Sequence, residues 1–418
     1  MNKTPKIVSQ KCKGARDLMP KDMKSFRFIE DAFRKSCRSW DYQEVRTPTL
    51  EYLHLFTAAG TLTPNMLSKV YSFLDWDGWS GERVVLRPDG TIPVARLYIE
   101  NLPPGEIARL FYVTNVFAFE ETGTENREIW QCGVELIGSS KPASDVELIL
   151  LAVDASRQLG ITEVQIQLSH AGVLNALIKQ LNLSPDEEVR LLDRILDGDW
   201  QALTEANPKN SEMSRLVSLF LDLKGKTSGF LENLKAMPKL PPNLKAALTN
   251  FAEIAELLDV LDCRYQIDIT STRGFEYYTG LCFQLTTRGH KIGSGGRYDN
   301  LIPLIGGQKT PACGFALYLE PLTDLVRPKV EQIEGPEILV RCDSAKTDAV
   351  SNTFKLAAEL RQAGFVTELD FNNRKLSARW QVVIQDKPPT FIITDLIRNQ
   401  KKDVSSIAEV IKTVGGSA

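Results

Sequence analysis

The sequence predicts an α+β protein with an antiparallel sheet as its core, a helical insertion, and a small α/β domain at the C-terminus. Ile107 to Phe119 and Glu128 to Gly138 are strand-like runs joined by a polar loop, which is typical of an antiparallel pair. Residues from about Leu174 to Leu261 are rich in Leu, Ala, Lys and Glu, which favours helices. From Glu337 onwards, strand-like and helical runs alternate, as in an α/β domain.

The chain of 418 residues is long enough for two or three domains, each with its own core. Its clearest linker is the stretch 327–336, which combines prolines with charges. The predicted order is the first part of the core at 1–170, the insertion at 171–261, the second part of the core at 262–326, the linker at 327–336 and the α/β domain at 337–418.

Composition argues against a nucleic-acid-binding surface of the broad basic kind. Hydrophobic residues make up 43% and charged residues 25%, and the net charge is −3. The region 337–418 carries twelve Lys and Arg against ten Asp and Glu, a net charge of only +2. We therefore expect tRNA to bind weakly.

Seven cysteines are scattered without a Cys-x-x-Cys pair, which argues against a disulfide framework and against a zinc site. We expect free thiols in a reducing cytoplasm and no bound metal. Met1 to Gln10 lacks the apolar segment of a signal peptide, and no run of about 18 apolar residues is available to span a membrane.

The N-terminal part predicts a helix followed by short strands. Phe26, Ile29 and Phe33 fall on one helical face, which should be buried, and a strand-like run from Tyr42 is interrupted at Pro48. Further on, the sequence predicts strands at Val70 to Leu74 and Arg83 to Leu86 around the turn Asp75-Trp76-Asp77-Gly78, a helix at Pro93 to Glu100 and a strand at Thr162 to Leu168. It also predicts a helix at Ser144 to Leu159, which Asp145 could cap or favour at its positive N-terminal end.

The stretch Arg273 to Gln284 combines an arginine, an acid and two tyrosines with a turn between strands. Tyr265 to Ile269 precedes it with a two-residue alternation, and the glycine-rich run Gly293 to Asp299 follows. Glycine allows a backbone to approach a ligand without a Cβ in the way. A hairpin with a glycine bulge explains either piece alone, whereas both together favour the floor of a pocket.

These two pieces, Arg-Gly-x-x-Tyr-Tyr-Thr-Gly at 273–280 and Gly-Gly-Arg-Tyr-Asp at 295–299, resemble the histidine-binding segment and a core strand of histidyl-tRNA synthetases. They also resemble non-synthetase relatives, chief among them the regulatory subunits of ATP phosphoribosyltransferase. The resemblance implies a class II aminoacyl-tRNA synthetase-like core, and it covers nearly the whole chain.

Other segments carry the same resemblance in the same order. They are the helix and strand from Lys21 to Leu50 (motif 1, which implies a homodimer interface), Leu86-Arg87-Pro88-Asp89-Gly90-Thr91, the strand pair Ile107 to Gly138 (motif 2), Thr310 to Leu322 (motif 3), and Leu360 to Phe365 of an anticodon-binding-like domain. Any helix and strand would fit the first of these equally well.

The resemblance implies a histidine pocket made by Asp89, Thr91, Gln131, Glu135, Arg273, Tyr277 and Tyr278. An acid suits the ammonium group, an arginine the carboxylate, and Gln, Glu and Tyr the imidazole. Each residue alone could also be an ordinary structural side chain, and Asp89 an exposed turn acid.

The chain departs from the family at the two arginines that grip the phosphates of ATP. Ala118 stands at the motif 2 arginine position and Pro321 at the arginine position of the motif 3 Glu-Arg-Leu, and neither provides a side-chain donor. Losing one such donor typically costs about 2.7–4 kcal/mol of transition-state stabilisation. Arg109 or Arg127 could replace one arginine but not both, so we predict no catalytic residues and no cofactor.

The leading hypothesis is a noncatalytic regulatory subunit that activates the short catalytic subunit of ATP phosphoribosyltransferase in the first step of histidine biosynthesis and senses histidine. One alternative is a divergent histidine–tRNA ligase, which the C-terminal domain favours because many regulatory subunits lack a full version of it. Another is a stand-alone histidine sensor or biosynthetic ligase.

Overall fold

A computed structural model describes residues 11–60, 67, 69–75, 81–119, 126–196, 198–206, 224–270, 277–330, 337–342, 346–371, 378–385 and 390–415, with the side chains of 196 and 328–330 left aside. The chain divides into two compact units, Met1–Val330 and Glu331–Ala418. Among the residues that the structure describes, no helix is both long and apolar enough to cross a membrane. Among the same residues, no group of three or more His, Cys, Asp or Glu side chains could hold a metal ion.

The first unit contains both helices and short to medium strands. Its helices are α1 (Pro20–Ser39), α2 (Leu53–Ala58), α3 (Thr91–Asn101), α4 (Pro142–Gln158), α5 (Ala171–Lys179), α6 (Pro185–Leu196), α7 (Gln201–Glu205), α8 (Ser228–Lys235), α9 (Pro242–Val260), α10 (Leu301–Leu304) and α11 (Leu319–Val330). Its strands are β1 (Gln43–Glu44), β2 (Leu50–Tyr52), β3 (Ser72–Leu74), β4 (Arg83–Leu86), β5 (Ala108–Phe117), β6 (Glu128–Ile137), β7 (Gln165–His170), β8 (Lys224–Gly225), β9 (Gln266–Asp268), β10 (Leu281–Thr287), β11 (His290–Arg297) and β12 (Ala312–Tyr318).

The main sheet of this unit has the order β1-β5-β6-β12-β11-β10-β7-β9-β8. The central pairs from β5 to β7 are antiparallel, as the sequence predicted, and β1 and β9 each add a parallel pair. A small second sheet has the order β2-β4-β3. The expected helical insertion corresponds to α5 to α9, to which the structure adds the two-residue strand β8.

The two faces of the main sheet carry different cores. Phe111 on β5 belongs to a core with α1, α4, α9 and α11, while its neighbour Tyr112 points to a core with α2, α3 and α10. Neighbouring residues of a strand point to opposite faces, so this division follows from the two-residue period.

The apolar face of α1 is buried inside its own chain. Phe26, Ile29 and Phe33 are 6%, 1% and 1% exposed, and the rings of Phe26 and Phe33 meet Trp130 and Phe111 edge to face. Burial of this face was predicted and is confirmed, and the same protomer covers these three side chains. The homodimer interface expected from Lys21 to Leu50 stays a prediction for the rest of that segment.

Asp145 has a second role beyond the one predicted from the sequence. The carboxylate lies in the first turn of α4, where it favours the positive helix end but is not the cap, and it is also the partner of a buried arginine. The guanidinium of Arg297 on β11 donates to it from Nε at 3.1 Å and from Nη2 at 2.8 Å. The contact therefore joins the helix to the central sheet.

The second unit is the expected small α/β domain. It consists of β13 (Ile338–Cys342), α12 (Thr347–Gln362), β14 (Thr367–Asp370), β15 (Trp380–Ile384), β16 (Phe391–Asp395), β17 (Gln400–Val404) and α13 (Ile407–Gly415), with the sheet order β14-β13-β15-β16-β17. The predicted linker 327–336 starts too early, since 327–330 form the end of α11.

Candidate functional site

The candidate pocket begins at the loop between β4 and α3. One carboxylate oxygen of Asp89 accepts from the backbone N–H of Ile92 at 2.8 Å, so this acid caps the first turn of α3. Asp89 and Thr91 are half-buried, which argues against a simple exposed turn acid. The loop touches β6 directly, because a Cβ on Gly90 would stand 2.5 Å from Nε2 of Gln131.

Glu135 on β6 lies at the centre of this pocket and is 1% exposed. Its Oε1 accepts from the hydroxyl of Tyr112 at 3.2 Å, and its Oε2 accepts from the hydroxyl of Tyr298 in a very short contact. Burial raises the pKa of Glu135 to about 8, although hydrogen bonds from Tyr298, Thr91 and Tyr112 oppose the shift. The group therefore holds its proton over much of the neutral range.

Glycines opposite Glu135 make room for this arrangement. Gly314 on β12 pairs with Glu135, and a Cβ there would lie 1.8 Å from the carboxylate oxygen Oε2. Gly133 has the same relation to Tyr112, where a Cβ would come within 2.1 Å of the ring. The absence of a Cβ at Gly314 and Gly133 therefore leaves room on the sheet for the Glu135 carboxyl group and the Tyr112 ring.

The two tyrosines of the 273–280 motif form an aromatic wall beside the carboxyl group. The ring centroids of Tyr277 and Tyr278 are 5.0 Å apart, and Tyr277 meets Tyr298 edge to face at 5.7 Å. A Cβ on Gly296 would touch the ring of Tyr278 at 2.7 Å. Burial raises the pKa of both hydroxyls, with Asp89 and Glu135 adding to the effect.

The structure thus brings six of the seven predicted residues together in one cluster: Asp89, Thr91, Gln131, Glu135, Tyr277 and Tyr278. Arg273 lies outside the described residues. Two functional candidates were missed, Tyr112 and Tyr298, which donate to the central carboxyl group. Tyr298 could have been predicted from the sequence, because it belongs to the Gly-Gly-Arg-Tyr-Asp run.

Ala118 follows β5, close to the start of β6. Its backbone N–H donates to the carbonyl oxygen of Arg127 at 3.0 Å, and its methyl side chain provides no donor. Pro321 is the third residue of α11, and the preceding Glu320 accepts from the N–H of Trp130 at 3.2 Å. The acid of the motif 3 Glu-Arg-Leu is therefore present and its arginine is replaced.

The two arginines considered as substitutes differ in position. Arg109 points to the opposite face of the sheet, where Nε donates to Glu147 at 2.9 Å beside a cavity of about 480 Å³. It is therefore excluded as a replacement. Arg127 is nearer to the missing motif 2 arginine, because it directly precedes β6 and its carbonyl oxygen accepts from Ala118. Its guanidinium carbon lies 4.6 Å from the ring centroid of Phe119, and its aliphatic stem packs against Gly14.

Fold and pocket together define a class II histidyl-tRNA synthetase-like protein. The family model described as histidyl-tRNA synthetase matches residues 14–322. An ATP phosphoribosyltransferase regulatory subunit from Dehalococcoides mccartyi is 44% identical over 408 residues, which are 97% of this chain and 98% of that protein. The chain belongs to the histidyl-tRNA synthetase family, within which it groups with the ATP phosphoribosyltransferase regulatory subunits.

Two further relatives fit this placement. A histidine–tRNA ligase from Methanocaldococcus jannaschii is 33% identical over 377 residues, 88% of each chain. The crystal structure of an ATP phosphoribosyltransferase regulatory subunit/histidyl-tRNA synthetase from Bacillus halodurans has a TM-score of 0.73 at 26% identity and covers 88% of this chain and 94% of its own. The D. mccartyi match extends over almost the full length of both proteins, so the C-terminal domain does not favour a ligase.

Proposed function

We propose that this chain is a noncatalytic regulatory subunit that binds the short catalytic subunit of ATP phosphoribosyltransferase and activates it in the first step of histidine biosynthesis. In this proposal the pocket around Glu135 binds histidine and makes the catalytic subunit responsive to it. The chain works in the cytoplasm, as a homodimer within a hetero-oligomer.

One contrast carries the proposal: the amino-acid side of the site has its polar groups, and the phosphate side lacks its two arginines. Asp89 suits the α-ammonium group of an amino acid, and Gln131, Glu135 and the tyrosines suit an imidazole. A buried, protonated Glu135 can donate to an imidazole nitrogen that carries a lone pair. Arg273 is assigned to the carboxylate.

The phosphate side supports binding without adenylation. With Ala118 and Pro321 in place of arginines, and with Arg109 held by Glu147, Arg127 is the one of the two substitute arginines that lies beside Ala118. Two missing donors correspond to a rate loss of about four orders of magnitude or more, since each typically costs 10²–10³.

The test has two assays on the same preparation. Histidine-dependent exchange of pyrophosphate into ATP is expected to be absent, and the short catalytic subunit is expected to gain activity and histidine inhibition when the chain is added. The double substitution Ala118→Arg with Pro321→Arg provides the matched comparison for exchange. Robust exchange by the unmodified chain, or a catalytic subunit that is fully active and fully histidine-sensitive alone, would overturn the proposal.

A further inference from the structure

His170, the last residue of β7, is a buried imidazole that joins the insertion to the core. It is 3% exposed, and its Nε2 lies 3.1 Å from Oδ1 of Asn250 in the middle of α9. Burial lowers the pKa of His170 to about 4, with Arg297 acting in the same direction, so the ring is neutral at physiological pH. The Nε2–H group then donates to the Asn250 oxygen.

The same residue lies next to the pocket segment. His170 pairs with Leu281 on β10, and the N–H of Ala171 donates to the carbonyl oxygen of Gly280 at 2.8 Å. Tyr278, two residues earlier, packs against Ala171 and the buried Cys282. Asn250 is therefore connected to the aromatic wall of the pocket through its contact with His170, the hydrogen bond from Ala171 to Gly280, and the packing of Tyr278 on Ala171.

The other ring nitrogen indicates that the imidazole is more than core filling. Within the described part of the chain, Nδ1 of His170 is buried without a hydrogen-bond partner. A Cβ on Gly172 would lie 3.1 Å from this nitrogen and 3.3 Å from the carbonyl oxygen of Thr279, so both acceptors border one small space. Burying an unmatched acceptor is costly, and an apolar residue would fill the core without that cost.

We propose that His170 is a positioning residue of the histidine pocket: its hydrogen bond to Asn250 makes the placement of Tyr278 depend on helix α9 of the insertion. A partner that displaces α9 then changes the affinity of the pocket for histidine. The inference rests on the proposed function, because it requires that the pocket bind histidine and that binding be coupled to a partner.

The experiment measures the dissociation constant of L-histidine by calorimetry, for the full chain alone and for the chain saturated with the short catalytic subunit. By linkage, the ratio of the two constants equals the effect of histidine on partner binding. Asn250→Ala removes the acceptor. We expect it to weaken histidine binding to the free chain by about fivefold, as the loss of one net hydrogen bond allows, and to move the ratio towards 1.

Two variants separate positioning from general stability. Thr249→Ala, on the same helix turn, loses a hydroxyl that bonds only to its own helix at Lys245, and should leave both constants unchanged. His170→Gln keeps an N–H at the place of Nε2 and should retain the unmodified ratio within about twofold. If Asn250→Ala does not fold, Asn250→Leu, which keeps the branched shape of the side chain without its polar atoms, takes its place with the same expectation.

The outcomes distinguish the two proposals. An unmodified chain that binds no histidine, or whose ratio is 1, contradicts the proposed function. Normal coupling in the unmodified chain that persists in Asn250→Ala overturns the role of His170 alone. If His170→Gln loses the ratio as Asn250→Ala does, the packing of the ring places the pocket segment, and the assignment to the Asn250 hydrogen bond is wrong.

Discussion

At the scale of single residues, the site depends on one carboxyl group that is removed from water and surrounded by hydroxyl donors. Glu135 receives hydrogen bonds from Tyr112 and Tyr298, yet burial outweighs these bonds and raises its pKa to about 8. A group of this kind binds a proton more tightly in the folded chain than in the unfolded chain.

The sign of the resulting pH dependence is fixed. The unfolded chain loses the Glu135 proton near pH 4.5 and the folded chain near pH 8, so the free energy of unfolding falls as the pH rises between these values. Each unit of pKa difference corresponds to about 1.4 kcal/mol. Urea unfolding of Glu135→Gln from pH 5 to pH 8.5 should show a smaller fall than the unmodified chain.

Glu128→Gln, at the exposed start of the same strand, is the control for this measurement. It should follow the unmodified curve. Parallel curves for Glu135→Gln and the unmodified chain would mean that Glu135 is already ionised at pH 5 in the folded state.

Gly314 provides a steric test of the same group. Gly314→Ala brings a methyl group into the space of the Glu135 carboxylate, so either the strand or the carboxyl group must move. We expect a loss of about 1–3 kcal/mol in stability and at least a tenfold loss of histidine affinity, measured by urea unfolding and calorimetry. Gly229→Ala is the control, since the nearest atom to its Cβ is at 3.8 Å. Unchanged histidine affinity in Gly314→Ala would show that histidine does not bind at Glu135.

Residue identities in the pocket were predictable to the extent that they lie in local motifs. Gln131 and Glu135 belong to one strand, and Tyr277 and Tyr278 to one turn. Tyr112 and Gly314 were not predictable as partners of Glu135, because their contact depends on the register between β6 and its two neighbours. Register is a property of paired strands and not of either strand alone.

At the scale of elements, α1 shows what a helical pattern can and cannot predict. The spacing of its apolar residues predicted a buried face, but periodicity does not reveal whether the covering surface belongs to the same chain. Asp145 lies in the first helical turn as predicted, but its ion pair with Arg297, 152 residues away, could not be predicted from local sequence.

Ile29→Ala tests whether the apolar face of α1 serves packing within its own protomer. Because Ile29 is 1% exposed within its own protomer, we expect a loss of about 2–5 kcal/mol in stability and no change in oligomeric state. Urea unfolding and sedimentation are the two measurements. Phe28→Ala, at a position that is 36% exposed on the same helix, should cost much less. Dissociation of an oligomer by Ile29→Ala at concentrations where the protomer stays folded would restore the original interpretation of this face.

The elements of the second unit were predicted only in part. The alternating runs predicted from Glu337 onwards correspond to β13, α12, β14 and β16, whereas β15, β17 and α13 were not expected from the sequence. β17 has the sequence Gln-Lys-Lys-Asp-Val and is exposed except at Val404, so it has no apolar period. Its strand conformation comes from pairing with β16.

At the scale of the whole molecule, the chain consists of two units with separate cores. The apolar cluster of the second unit contains only residues from 338 to 414, including Ile338, Trp380 and Val414. The pocket residues all belong to the first unit, and their surrounding core contains residues from 55 to 312.

This division predicts that a chain ending at Val330 still binds histidine. The truncated chain keeps α11, the whole main sheet and the insertion. Its dissociation constant for L-histidine, measured by calorimetry, should stay within about twofold of the full-length value. Such a difference is well below the tenfold change that about 1.4 kcal/mol of binding free energy would cause. Glu135→Gln in the truncated chain provides the control for binding at the same pocket. Loss of histidine binding by a truncated chain that still unfolds cooperatively would show that the second unit helps to form the site. If histidine binding is retained but activation of the catalytic subunit is lost, the second unit binds the partner and the first unit alone binds histidine.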